Sequence, residues 1–364
     1  IYDITSDPLA LGYVGLALFV PAVILVLPAG DFADRYERRF ILRTTYVLQA
    51  VGAGLLTALI VADVREIWLY YVVLVLFGAA GAFGRPSNQS FIAHVVPRTV
   101  LPNALAWGSM SNRGATIFGP AFGGLLYLLG PWVVFATSAT LYVGVAVLIS
   151  TVHQVGYERP RSEPAISAFN RLFAGLAYIR SWPIVMGAIT LDLCAMILGG
   201  ATAMLPVYAR DILQIGPDGL GLLRGAPAVG SAITAIVLAH MPMKRHAGPV
   251  MFGAIVVYGV ATIAFGLSDM LLLSLPALAV MGAADMVSTN IRSTMIQLAT
   301  PDSMRGRVSA VNALSSGASN ELGDFESGLV ASWLGAPASV VIGGAGCIAV
   351  VAAWMWAFPQ LRRN

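Results

Sequence analysis

Gly30-Asp31-Phe32-Ala33-Asp34-Arg35-Tyr36-Glu37-Arg38-Arg39 is a densely charged stretch between two apolar runs, Leu9 to Ala29 and Phe40 to Ala62. Each run holds about 20 residues, the length a helix needs to cross roughly 30 Å of hydrocarbon. The charged stretch therefore reads as a short loop at one membrane face. Its glycine, its aspartate and its arginines set the reading of everything on either side.

Outward from it, further apolar runs fall at 67–92, 103–127, 132–152, 184–206, 219–240, 249–267, 271–296, 308–331 and 337–358, which makes eleven spans with 9–30 and 41–62. Composition agrees: 58% of the 364 residues are hydrophobic and 11% are charged. A soluble domain carries about 25% charged residues. The chain is an all-α integral membrane protein. Cys194 and Cys347 fall inside apolar runs and read as small core residues.

The formal charge of +3 points to no basic face for nucleic acid once the cations are placed. Loops 31–43, 93–102, 153–183, 241–248 and 297–307 and the tail 359–364 hold 15 of the 21 Lys and Arg, whereas the alternate loops hold Arg65 and Arg210. Basic residues mark the cytoplasmic side of short loops, so these loops and the C-terminus are expected in the cytoplasm. Arg85, Arg113, Arg224 and Arg292 remain within spans or at their ends.

Pro97, Gly119 and Gly124 recur at one spacing as Pro301, Gly323 and Gly328, and Pro8 to Gly12 recurs as Pro217 to Gly221. Such a parallel repeat predicts two copies of one helical bundle. Residues 184–208 precede the second copy, so the repeat predicts a further helix before Ile1. The expected organisation is an N-terminal bundle over 1–152, a cytoplasmic linker over 153–183 and a C-terminal bundle over 184–364. Within the linker, Ile166, Phe169, Leu172, Phe173, Leu176 and Ile179 recur at helical spacing, which predicts an amphipathic helix on the membrane surface.

Charged groups inside spans cost roughly 2.5–3.5 kcal/mol each and are functional candidates by default. Asp192, Asp285, Glu321 and Asp324 are the candidates for proton coupling. Glu321 and Asp324, three apart, share a helix face, as do Asp285 and Arg292, seven apart; Glu326 points away. Neighbouring buried acids suit reversible protonation, and Arg113 is the expected counter-charge to Glu321 and Asp324. Asn112, Arg113, Asn290, Arg292, Asn312 and Asn320 are candidates for a substrate cavity. Each buried charge could equally belong to a static ion pair that pins two helices. Gly119, Pro120, Gly123 and Gly124 form a segment suited to bending or close helix approach.

Other chemistry lacks its residues. The sequence holds no G-x-x-x-x-G-K-[ST] loop for a nucleotide. His94, His153, His240 and His246 have no metal-ligand spacing, so neither metal nor cofactor is expected. No nucleophile–base constellation suggests an enzyme.

The charged stretch resembles the G-x-x-x-D-R-x-G-R-R loop motif of major facilitator transporters, with Glu37 at a position where that family carries a residue tolerant of positive φ. Gly119-Pro120-Ala121-Phe122-Gly123-Gly124 is similar to the G-P-x-x-G-G core of proton-coupled exporters, and Gly323-Asp324 replaces its proline in the second half. Tyr2-Asp3-Ile4-Thr5, Arg85-Pro86-Ser87-Asn88-Gln89, Leu322-Gly323-Asp324-Phe325 and Phe358-Pro359-Gln360-Leu361-Arg362 are similar to the enterobactin-exporter-like branch of bacterial transporters. The resemblance implies two six-helix bundles related by a pseudo-two-fold axis, with the first helix mostly missing from this sequence, and alternating access to a central cavity. It implies that Gly30, Asp34, Arg35, Arg38 and Arg39 gate the cytoplasmic side, Asp34 docking near Arg305 and Arg307.

The sequence thus predicts a monomeric inner-membrane secondary transporter that exports a small amphipathic or siderophore-like molecule against protons. The partners expected are that small molecule, protons and membrane lipids. Movement of lysolipid between leaflets and a non-transporting role as a membrane sensor or assembly partner are the alternatives.

Overall fold

The computed structural model describes residues 1–97, 99–152, 168–240 and 247–363, and their regular structure is helical throughout. In chain order the helices are α1 (Tyr2–Thr5), α2 (Pro8–Arg35), α3 (Arg38–Val61), α4 (Ile67–Val95), α5 (Leu101–Tyr127), α6 (Pro131–Thr151) and α7 (Ala168–Ser181). They continue as α8 (Pro183–Leu198), α9 (Leu205–Val207), α10 (Pro217–His240), α11 (Ala247–Gly266), α12 (Leu271–Ala299), α13 (Asp302–Leu334), α14 (Ala336–Ala357) and α15 (Pro359–Arg363). All eleven apolar runs coincide with long helical stretches. Among the described residues nine segments are long and apolar enough to cross a membrane. The other two runs lie in α5 and α13, which carry much of the intramembrane polarity. Helices suit this role because each closes its own backbone hydrogen bonds where no water is present.

The opening charged stretch departs from the loop expected of it. Helix α2 runs on through Gly30 to Arg35, and the chain turns at Tyr36 and Glu37 before α3 starts at Arg38. Glu37 has φ −60° and ψ 125°, extended backbone that any residue adopts, so the turn asks for no positive φ. Positive φ serves elsewhere. Gly130 (φ 127°) joins α5 to α6 and Gly335 (φ 85°) joins α13 to α14, and both precede a helix with proline in its first turn. A side chain at either glycine would be strained. The same turn at matching places echoes the internal repeat.

The chain forms two compact units. One comprises Ile1–Gly15, Ile117–Gly124 and Arg171–Asn364; the other comprises Leu16–Thr116 and Leu125–Asn170. In the latter, α3 packs on α4 and α6, with Thr45, Ala53 and Leu56 buried between helices. Arg39 ties α3 to α6: its Nε donates to the Ile149 carbonyl at 3.1 Å and its Nη2 donates to that of Ser150. A guanidinium at a helix C-terminus satisfies carbonyls that have no partner in the helix and favours the dipole.

In the first unit, α11 packs on α12 and α14, α10 packs on α12, and α8 packs on α13 and α14. Its core has two apolar clusters. One is built on Tyr208, Phe265, Leu278 and Met281, the other on Val185, Leu191, Met251, Phe252 and Val308. The stripe predicted for the linker is only partly a membrane face. Ile179 is buried, and an added Cβ at Gly175 would lie 2.9 Å from the Arg307 carbonyl of α13. Phe173 and Leu176 stay exposed, at 51% and 52%. Residues 153–167 lie outside those described.

Candidate functional site

The apolar run at 184–206 is not one straight helix. Helix α8 stops at Gly199-Gly200, a 3₁₀ turn follows over Ala201–Met204, then the short α9 and a π-helical turn over Tyr208–Ile212. Two adjacent glycines weaken the helix, and Pro206 has no N–H to carry the ladder across the break. The Tyr258 hydroxyl of α11 donates to the Gly199 carbonyl at 2.9 Å, meeting one of the acceptors that the broken helix leaves. Gly200 and Gly323 meet backbone to backbone: a Cβ on Gly200 would run into the Gly323 carbonyl, and one on Gly323 into that of Met196.

Just before the break, on α8, Asp192 is 4% exposed. One of its carboxylate oxygens accepts from Arg292 Nη1 of α12, and the other accepts from the Ser316 hydroxyl of α13 at 3.0 Å. Both side chains of the ion pair are nearly closed to solvent, at 5% for Asp192 and 7% for Arg292. Three helices thus converge on one carboxylate. Arg292 Nε is buried without a hydrogen-bond acceptor among the described residues.

Asp285 lies two helical turns from Arg292 on α12, where the Thr289 hydroxyl approaches it at 3.4 Å, at the limit of a hydrogen bond. A small cavity of about 20 Å³, room for about one water molecule, lies between the two acids. It is lined by Asp192, Ala195 and Met196 of α8, Ile255 and Tyr258 of α11, and Ala284, Asp285 and Ser288 of α12. If all three groups ionise, Asp192, Asp285 and Arg292 sum to one uncompensated negative charge. Such a charge in a low-dielectric interior costs several kcal/mol unless a cation joins it.

Glu321 and Asp324 do share a face of α13, both half-buried. Gly15 of α2 covers that face: an added Cβ there would lie 2.9 Å from the Glu321 carbonyl and 3.4 Å from Asp324 Cβ. Arg224 of α10 stands within charge–charge range of Asp324. The sequence offered Arg224 only as an unassigned cation inside a span, and named Arg113 for this role; the Arg113 side chain lies outside those described. So do the side chains of Asp34, Arg35 and Pro120, and residue Gly30 beyond its place in α2. Of the cavity candidates, Asn112, Asn290 and Asn320 are exposed, whereas Asn312 buries an Oδ1 without a hydrogen-bond partner among the described residues. Arg38 and Arg39 are half-buried at the start of α3. Helix α5 runs unbroken through Gly119, Pro120, Gly123 and Gly124, and a Cβ added at Gly119 or Gly123 would meet nothing within 4 Å.

Tyr258, Ser288, Thr289 and Ser316 were missed by sequence reasoning. Single hydroxyls in apolar helices are ordinary, and nothing in one helix reveals which carboxylate on another will meet them. Just past the end of the 184–206 run, the Tyr2 hydroxyl donates to Asp211, Arg210 pairs with Asp3 at 3.7 Å, and Arg210 Nη1 donates to the Tyr2 carbonyl at 3.2 Å.

The architecture matches known transporters. The bacterial homologue of the lysosomal transporter Spinster, solved inward-facing and occupied, superposes with a TM-score of 0.72 at 16% identity over 98% of this chain and 91% of that one. The D-xylose–proton symporter gives 0.76 at 13% identity over 98% and 89%. In sequence, the enterobactin exporter EntS of Escherichia coli O157:H7 is 26% identical over 356 residues, 96% of this chain and 82% of that protein. The uncharacterised MFS-type transporter YfiS of Bacillus subtilis is 21% identical over 359 residues, covering 96% and 84%. Residues 1–363 match the family described as transmembrane secretion effectors. The chain is a multi-pass membrane transporter, not an enzyme, and it belongs to the transmembrane secretion effector family of the major facilitator transporters.

Proposed function

We propose that this protein is an inner-membrane exporter that moves a small amphipathic or siderophore-like molecule outward by alternating access, driven by inward proton flow. One observation carries the coupling: the cavity where Asp192 and Asp285 face each other with Arg292 as their shared cation. Asp192 is committed to Arg292 and Ser316, so Asp285 is the acid free to take up and release a proton. Protonation cancels the uncompensated charge, and deprotonation restores it, which gives the cavity two electrostatic states. The relatives named as enterobactin exporters favour the direction and the siderophore class.

In this reading the division into bundles over 1–152 and 184–364 is the division between the two moving halves. Gly30, Asp34, Arg35, Arg38 and Arg39 form the cytoplasmic gate, and Glu321 and Asp324, balanced by Arg224, form a second titratable pair. The test is transport in proteoliposomes with an imposed pH gradient, following a catecholate siderophore and internal pH together. Asp285→Asn should let substrate equilibrate but abolish its dependence on the gradient. Unchanged dependence in that variant would remove Asp285 as the carrier.

A further inference from the structure

Between α3 and α6 runs an open groove of about 480 Å³. Its floor is Ala50 and Ala146, 8% and 5% exposed. Its walls are valines that stand out of the surface, Val47 and Val51 on α3 and Val143 and Val147 on α6. Small residues alternate with larger ones at three- and four-residue spacing, so a channel follows the helix axes. From Val143 to Thr151 it is about 12 Å long at 1.5 Å per residue, against about 15 Å of hydrocarbon in one leaflet. The groove accepts one chain, and nothing polar lines it before Ser150 and Thr151 at its end.

That end carries charge. Arg39 closes it with its bonds to the Ile149 and Ser150 carbonyls. Arg43 extends the Val47–Val51 stripe by one turn and is exposed. Its contact among the described residues is the face of Phe40, with the guanidinium carbon 5.7 Å from the ring centroid. No described carboxylate is paired with it, and Glu37, the nearest acid in sequence, sits outside the helix start. Helical side chains lean toward the N-terminus, so Arg43 reaches from the groove toward the headgroup layer.

We propose that this groove holds an acyl chain of an anionic phospholipid whose phosphate rests on Arg43. An apolar slot ending in an arginine with no carboxylate partner among the described residues complements a molecule that is chain at one end and anion at the other. A zwitterionic headgroup would bring an ammonium that gains nothing from Arg43. A second copy docked by two-fold symmetry would set Arg43 near its own equivalent, like charge against like. Arg39 closes the charged stretch from within the first turn of α3, so lipid bound here braces the start of that helix.

The test uses the purified full chain and native mass spectrometry with phosphatidylglycerol and phosphatidylcholine. Phosphatidylglycerol should be retained in preference. Arg43→Gln should weaken it about fivefold, the effect of roughly 1 kcal/mol for one cation at an anionic surface, and Arg43→Lys should restore most of that. Val51→Phe with Val147→Phe, both at exposed positions that tolerate bulk, should fill the slot and lower retention of both lipids. Equal phosphatidylglycerol binding by Arg43→Gln, or full retention by the filled variant, would overturn the proposal. So would displacement by inorganic phosphate, which would mean a bare anion site. Loss of dimers in the filled variant with lipid counts unchanged would assign the groove to a second copy.

Discussion

Replacing Arg292 with Met tests the buried ion pair directly. The change keeps an apolar stem and removes a cation whose side chain is 7% exposed, beside a carboxylate that is 5% exposed. Removing one partner of such a pair costs about 3–5 kcal/mol, because the other charge keeps neither water nor counter-ion. The Ser316 hydroxyl still donates to Asp192, and a hydrogen bond to a charged group returns only about 1.5–3 kcal/mol. Asp192 can escape by taking a proton. Arg292→Met should therefore unfold at lower temperature at neutral pH and regain stability as the pH falls, more steeply than the wild type. Adding Asp192→Asn removes the stranded charge, keeps an acceptor for Ser316, and should recover most of the loss at every pH. The assay is thermal unfolding of the purified protein in detergent across a pH series, for both variants and for Asp192→Asn alone. If Arg292→Met were as stable as the wild type, or if its loss did not diminish in acid, the pair would be solvated. The charge accounting around Asp285 would then fail.

Three further outcomes follow from particular contacts. At Gly323 an added Cβ meets the Met196 carbonyl while at Gly123 it meets nothing, so Gly323→Ala should cost about 1–3 kcal/mol and Gly123→Ala should gain up to about 1 kcal/mol of helix propensity; chemical unfolding of both decides it. Burial, then the bond to Asp211, pushes the Tyr2 hydroxyl from its ordinary 10.0 up to about 12. The neutral phenol is thus favoured in the folded state, a stabilisation present below pH 10 and lost as pH rises toward about 12; Tyr2→Phe should lack that alkaline loss in a melting series. Asp34→Asn should lower transport with folded protein intact, and normal flux would refute the gate.

The helices were largely legible because their physical cause is local. A run of about 20 apolar residues can do little else in a bilayer, and every such run is helical here. Boundaries were less so. Gly30 to Arg35 looked like a loop because it is charged, yet charge does not end a helix; Tyr36 and Glu37 do. The break at Gly199-Gly200 lay inside a run whose hydropathy never falters, and hydropathy does not register a backbone interruption. Partners across the fold were the least accessible. Helical spacing places Asp285 and Arg292 on one face, but Asp192 meets Arg292 from a hundred residues away. No pattern within α8 says that α12 and α13 are its neighbours. Arg224 stayed unassigned for the same reason.

The crossing at Gly199-Gly200 also has a mechanical meaning. Where α8 ends, its backbone sits against Gly323 of α13 and Gly343 of α14 with no side chain between them, while Ser327, Leu198 and the Tyr258 ring pack around that contact. Ordinary helix contacts are geared, ridge into groove, and a tilt must lift one row over another. This joint is closer to a plain bearing, because backbone seats on backbone at its centre. The segment from Ala201 to Ile212 can change its angle to Pro183–Leu198 with the Tyr258–Gly199 hydrogen bond as the latch across the break. Asp192, two turns below the bearing, can keep its three-helix grip while the far end swings.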